Sequence, residues 1–166
     1  MSEDTISPGM LVAGAEYHRR LKKLGLHPEA LMWARDLKQK QYCLIMVWSG
    51  VDKYGPLALS ELLFSAYRKA VLPRSIDPFI VNVFSYQQNL AQVLVADWPK
   101  DAVNCLLVDG VTLNAGEYQD RRIAEEHADY RIQRDWVYTA QTKKRPSYEV
   151  GRDWERFQRN VTSMAA

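Results

Sequence analysis

The chain has little that could staple it or anchor it. Its two cysteines, Cys43 and Cys105, each lie inside an apolar run and read as buried thiols, not as a bridge. None of the three histidines, His18, His27 and His127, has a second histidine at i+3 or i+4 or a cysteine close by, so no metal site is expected. No apolar stretch approaches the roughly 20 residues of a membrane helix. No basic segment followed by an apolar one opens the chain; the expectation is a cytoplasmic protein without a signal peptide and without membrane association. A Gly-x-Ser-x-Gly elbow is missing, as are internal repeats and low-complexity tracts, and no motif calls for a cofactor or marks a catalytic nucleophile.

Charge of one sign is also scarce. The 22 basic and 20 acidic residues leave a net charge of +2, which argues against a protein that coats nucleic acid. The excess is local: residues 16–40 hold seven Lys or Arg against three Asp or Glu. Within it, Arg19, Arg20, Lys22 and Lys23 form a dense run on a helix, the candidate contact if nucleic acid is bound at all.

What the chain does have is material for a core. With 166 residues, 47% hydrophobic and 25% charged, it fits one globular domain that needs no disulfide or metal. Ser7-Pro8 has the form of a helix N-cap followed by proline at the first helical position. Leu11, Ala15, His18, Leu21 and Leu24 continue at helical spacing to Gly25. Pro28, Leu31, Ala34 and Leu37 suggest a second helix, making an N-terminal αα-hairpin over 8–40, with 1–7 as a disordered tail.

Residues 41–141 read as the sheet core. Tyr42–Trp48 is a continuous apolar run of strand length, as expected of a strand covered on both faces. Pro56 opens a helix with a stripe of Leu59, Leu62, Leu63, Ala66, Tyr67 and Ala70, and Phe79–Phe84 is a second strand. This strand–helix–strand order predicts a right-handed crossover joining a parallel pair. Leu90–Ala96 reads as helix and Val103–Val108 as a third strand. Asp109-Gly110 suggests a hairpin returning through Val111–Leu113, with another helix from Ala115. Trp136–Ala140 reads as an edge strand, and 147–162 as a C-terminal helix interrupted at Gly151. The fold class is therefore α/β, or possible α+β in arrangement: a small, mostly parallel sheet of about 3–5 strands flanked by helices.

Three places suggest chemistry. The loop from Ser49 to Leu57 spaces Gly50 and Gly55 as a phosphate loop does, but Pro56 and Leu57 stand where Lys and Ser or Thr must be, so nucleotide hydrolysis there is not expected. Ligands in open α/β sheets favour the carboxyl ends of strands. Ser49, Asp52, Lys53, Ser85, Asn89 and Asp109 follow the three strands and are the ligand-site candidates, with Asp52 and Asp109 as a pair of carboxylates. The C-terminal third interleaves Arg with aromatics; Trp136, Tyr138, Trp154, Phe157, Arg134 and Arg152 are candidates for a protein interface. The resulting expectation is a small non-enzymatic binding or regulatory protein acting through protein contacts, with a partner chain or as its own dimer. The alternatives are a small enzyme or ligand-binding domain at the strand ends, and nucleic-acid binding through the basic helix.

Overall fold

A computed structural model of the chain describes residues 6–88, 105–108, 128–141 and 143–163. The first helix, α1, spans Pro8–Leu24. The Ser7 hydroxyl accepts from the Met10 amide at 3.2 Å, and Gly25 closes the helix in the left-handed region at φ 111°. Ile6, inside the stretch read as a tail, is buried in the core.

The second predicted helix is a strand instead. β1 runs Ala30–Asp36 and pairs antiparallel with β2, Gln41–Val47, through Ala30↔Val47 to Asp36↔Gln41. Leu31, Ala34 and Leu37 are spaced as a helix would space them, but Leu31 and Ala34 belong to a strand covered on both faces, where apolar residues need not alternate with polar ones. The turn from Leu37 to Lys40 contains no glycine. The Asp36 carboxylate accepts from the Lys38 and Gln39 amides, and Lys40 takes the positive φ of 56°. The N-terminal αα-hairpin is therefore a helix followed by a β-hairpin.

A short helix α2, Val51–Tyr54, and α3, Pro56–Arg68, lead to β3, Val81–Phe84. β3 pairs with β2 in parallel, Leu44↔Val81 to Val47↔Phe84, as the strand–helix–strand order predicts. The strand is shorter than expected: Asp77 caps a single 3-10 turn over Pro78–Ile80, which leaves Phe79 exposed. β4, Cys105–Val108, and β5, Tyr130–Gln133, are antiparallel neighbours. The sheet order is β3-β2-β1-β5-β4, and β6, Val137–Ala140, also pairs with β1. The sheet is thus mixed, with one parallel pair among the described strands and the others antiparallel, not mostly parallel. The predicted helices at Leu90–Ala96 and Ala115 and the hairpin at Asp109-Gly110 lie outside the described residues.

β5 and β6 form one interrupted line along β1. Between the pairs Arg35↔Arg131 and Met32↔Val137, β1 advances three residues and its partner six. The surplus is a 3-10 turn over Arg134–Trp136, and it delivers Trp136 edge-on to Tyr42, ring centroids 5.7 Å apart.

The last helix, α4, spans Ser147–Ser163 without a break at Gly151. With α1 and α3 it covers one sheet face, where Leu31, Trp33, Leu44, Met46 and Trp48 are buried. The opposite face, with Met32, Ala34, Cys43, Ile45 and Val47, is buried as well. Burial there pushes the Cys43 thiol up to about 12, so it is not a thiolate at neutral pH.

Candidate functional site

The carboxyl ends of β2 and β3 lie side by side, since the Trp48 amide extends their ladder by donating to the Phe84 carbonyl at 3.0 Å. Both strands then turn away, so the residues after them meet. Ser85 donates its hydroxyl to the Asp52 carboxylate at 2.5 Å, which ties the loop after β3 to α2. Ser49 donates through its amide and its hydroxyl to the two oxygens of Glu29, at 2.8 and 2.6 Å. Of the strand-end candidates, Ser49, Asp52, Lys53 and Ser85 therefore share one region. Asn89 and Asp109 lie outside the described residues, and with them the proposed carboxylate pair.

Glu29 is the residue that sequence reasoning missed. It is 1% exposed, just before β1, and its backbone joins the Val47 and Gln141 ends by 2.8 Å bonds. A glutamate after proline has the look of a first helical turn, and no spacing relates it to Ser49. The segment before α4 also enters the region. Arg145 donates its Nε to Asp153 at 2.6 Å and approaches Glu149 at 3.5 Å, while its amide leans on Glu29 at 3.4 Å. Asp153 raises the affinity of the Arg145 guanidinium for its proton. Together Ser49, Gly50, Asp52, Lys53, Lys144, Arg145, Ser147 and Val150 line a cleft of about 90 Å³.

No family model matches the chain, no curated protein is similar to it, and no solved structure matches it. Among the described residues no group of three His, Cys, Asp or Glu side chains is placed to hold a metal ion. No described helix is long and apolar enough to cross a membrane.

The basic run on α1 has local partners. Arg19 and Arg20 both clasp Glu16, and their three hydrogen bonds hold its carboxyl down to about 2. Arg20 also donates to the Ala70 and Val71 carbonyls, at 3.3 and 3.2 Å. Lys22 and Lys23 are exposed. The Arg20 contact belongs to a ring of three. Lys69, at the end of α3, donates to the Val161 carbonyl of α4 at 2.8 Å, and Asn160 of α4 donates to the Leu24 carbonyl of α1 at 2.7 Å. Lys69 and Asn160 thus cap the carbonyl ends of α4 and α1, while Arg20 binds the two carbonyls just beyond α3 and Arg74 takes the Arg68 carbonyl at its end. The open groove of about 460 Å³ beside them, lined in part by Arg19, Arg20 and Lys23, faces those same carbonyl ends. Lys69→Met is expected to cost about 1 kcal/mol in urea denaturation; an unchanged midpoint would mean that water caps α4 equally well.

The interface candidates divide. Trp136, Trp154 and Phe157 are buried within the chain, so the apolar stripe of the C-terminal helix is covered intramolecularly. Trp154 stacks on Tyr54 at 5.1 Å and tilts against Trp48 at 5.2 Å. The half-buried Tyr138 donates to the Leu11 carbonyl at 2.6 Å and accepts from Trp33 Nε1 at 3.0 Å. A side-chain carbon at Gly14 would strike that hydroxyl, which is why α1 carries glycine there. Arg134 and Arg152 are exposed.

Proposed function

We propose that this chain is a small ligand-binding domain whose site is the cleft at the carboxyl ends of β2 and β3. The observation that carries this reading is the convergence there of hydroxyls, lysines and the start of α4 from two distant stretches of sequence, 49–53 and 144–150. Strand ends at a parallel pair are where α/β sheets hold ligands. The bonds Ser85–Asp52, Ser49–Glu29 and Arg145–Asp153 hold the walls before any ligand arrives, which lowers the ordering cost of binding. Whole drug-sized ligands occupy pockets of roughly 300–1,000 Å³, so a cleft of about 90 Å³ encloses one polar group of its ligand. Amide NMR spectra recorded with a panel of small anions, cations and neutral polyols test this. Saturable shifts at Ser49, Lys53 and Ser147 are expected, and a panel that leaves those amides unmoved removes the reading.

A second reading, contact with another protein, is favoured by one exposed apolar patch. Phe79 is 81% exposed, and the half-buried Phe64 meets it edge-on at 5.0 Å. Scattered apolar residues are ordinary on a surface, whereas contiguous ones mark contacts. If the patch pairs two copies, sedimentation will be concentration-dependent and Phe79→Ser will abolish that dependence. A wild-type monomer at all concentrations removes the self-association form of the reading.

A further inference from the structure

We infer that the groove between the ends of α1, α3 and α4 is a docking surface for an acidic segment of a partner protein, a stretch of Asp and Glu with an apolar side chain among them. The groove encloses about 460 Å³ and shares no lining residue with the strand-end cleft. That volume lies in the range of roughly 300–1,000 Å³ that holds a whole ligand. It is open along its rim, so a bound chain can run on past either end.

The charge of the groove has one sign. Arg19, Arg20 and Lys23 line it, and among the described residues no carboxylate does. Glu16 is the carboxylate these side chains meet, and it answers Arg19 and Arg20. Arg19 gives Glu16 two of its five N–H donors and its side chain stays 62% exposed, which leaves donors for a second acceptor. Lys23 is exposed and forms no ion pair among the described residues. Lys69, next to the lining residue Ala70, adds a fourth cation. The helix ends that would oppose an anion carry donors of their own, Lys69 on α4, Asn160 on α1 and Arg74 on α3. Four cations against one carboxylate leave an excess that the carboxylates of a partner complement.

Between the charges the lining is apolar and aliphatic. The exposed Ala70 and the half-buried Val71 lie beside Leu24 there. Among the described residues no aromatic ring lines the groove, so it lacks the stacking platform on which single-stranded nucleic acid binds. An aliphatic side chain flanked by carboxylates matches both the floor and the rim. The walls are also fixed in advance. Arg20 ties α1 to the Ala70 and Val71 carbonyls at 3.3 and 3.2 Å, and Asn160 ties α4 to the Leu24 carbonyl at 2.7 Å. Little of the ordering cost of binding then falls on this chain.

The probes are a short synthetic peptide of Asp and Glu around one central leucine, the same peptide with serine in that place, free glutamate, and oligothymidylate. Each is titrated into the full chain by NMR and calorimetry. Saturable shifts at the Lys23, Leu24, Ala70 and Val71 amides are expected with the leucine peptide, weakened by added chloride salt. The serine peptide should bind about tenfold more weakly, the worth of one aliphatic side chain removed from water. Lys23→Ala should weaken binding about fivefold, as for an exposed charge contact. Lys23→Glu should weaken it further and Lys23→Arg restore it, with thermal melts verifying that all three variants keep the fold. Arg20 is left intact because it holds the wall. Oligothymidylate that binds more tightly than the leucine peptide at equal salt overturns the proposal in favour of nucleic acid. Free glutamate with the affinity of the peptide overturns it in favour of a small anion. Equal binding of the two peptides, binding that ignores Lys23→Glu, or no shift at these amides overturns it outright. The Ser49 and Ser147 amides should stay unmoved throughout, so failure here leaves the strand-end reading standing.

Discussion

Trp154→Ala is expected to lower stability by about 3–5 kcal/mol at every protein concentration, the usual cost of removing a large buried ring. The side chain is 4% exposed and lies between Trp48, Tyr54 and Phe157, with centroids 5.2, 5.1 and 6.3 Å away. Removing it empties the contact between α4, α2 and the end of β2. An interface anchor would behave differently. Its loss would weaken association by about 2 kcal/mol or more and leave the monomer folded. Urea melts at two widely separated concentrations distinguish the cases, because only the interface case moves with concentration. A variant as stable as the parent would mean that the ring is not core at all.

Glu29→Ala is expected to cost about 3 kcal/mol, since it strands the buried amide and hydroxyl of Ser49 at once, each at about 1–3 kcal/mol. Glu29→Gln keeps one carbonyl acceptor and should cost roughly half as much. Hydrogen exchange gives the local readout: the Ser49 amide should lose protection in the alanine variant before the amides of β2 do. Removing a buried charge can also relieve desolvation cost. If that effect dominates, Glu29→Ala will match the parent, and the carboxylate will not be what holds the wall of the cleft. The same variant is expected to impair any ligand response at Ser49, because that wall is no longer held.

The elements legible in the sequence were those that carry their own boundary chemistry. Ser7-Pro8 and Gly25 bracket α1, and Pro56 opens α3 with an apolar stripe, of which Leu59, Leu63 and Ala66 are buried. The unbroken run in β2 corresponds to burial on both faces. β1 failed by the same rule that revealed β2. Ala30–Asp36 is covered on both faces, and Leu31, Ala34 and the following Leu37 happen to satisfy a helical spacing. The hairpin that would have corrected the assignment turns through Lys40, not through glycine. Gly151 misled for the opposite reason: flanking side chains such as Val150 and Trp154 pack well enough to carry α4 through a poor helix former.

Of the cleft, local order supplied Ser49, Asp52, Lys53 and Ser85, because a strand–helix–strand unit returns the chain to the same edge. Glu29, Lys144, Arg145 and Ser147 could not be found that way. Glu29 reaches the cleft because β1 pairs with β2, and the other three because β6 lies along β1 and carries the chain back to the start of α4 beside Ser49. The sequence by itself determined where α1, α3 and β2 form, since caps, prolines and apolar periodicity act within one element. Tertiary structure alone decided that 30–36 is a strand, that the C-terminal stripe is core, and that Lys69 and Asn160 cap the ends of α4 and α1. Those outcomes depend on which surfaces meet, and the burial and electrostatics that select them exist only once distant segments are in contact.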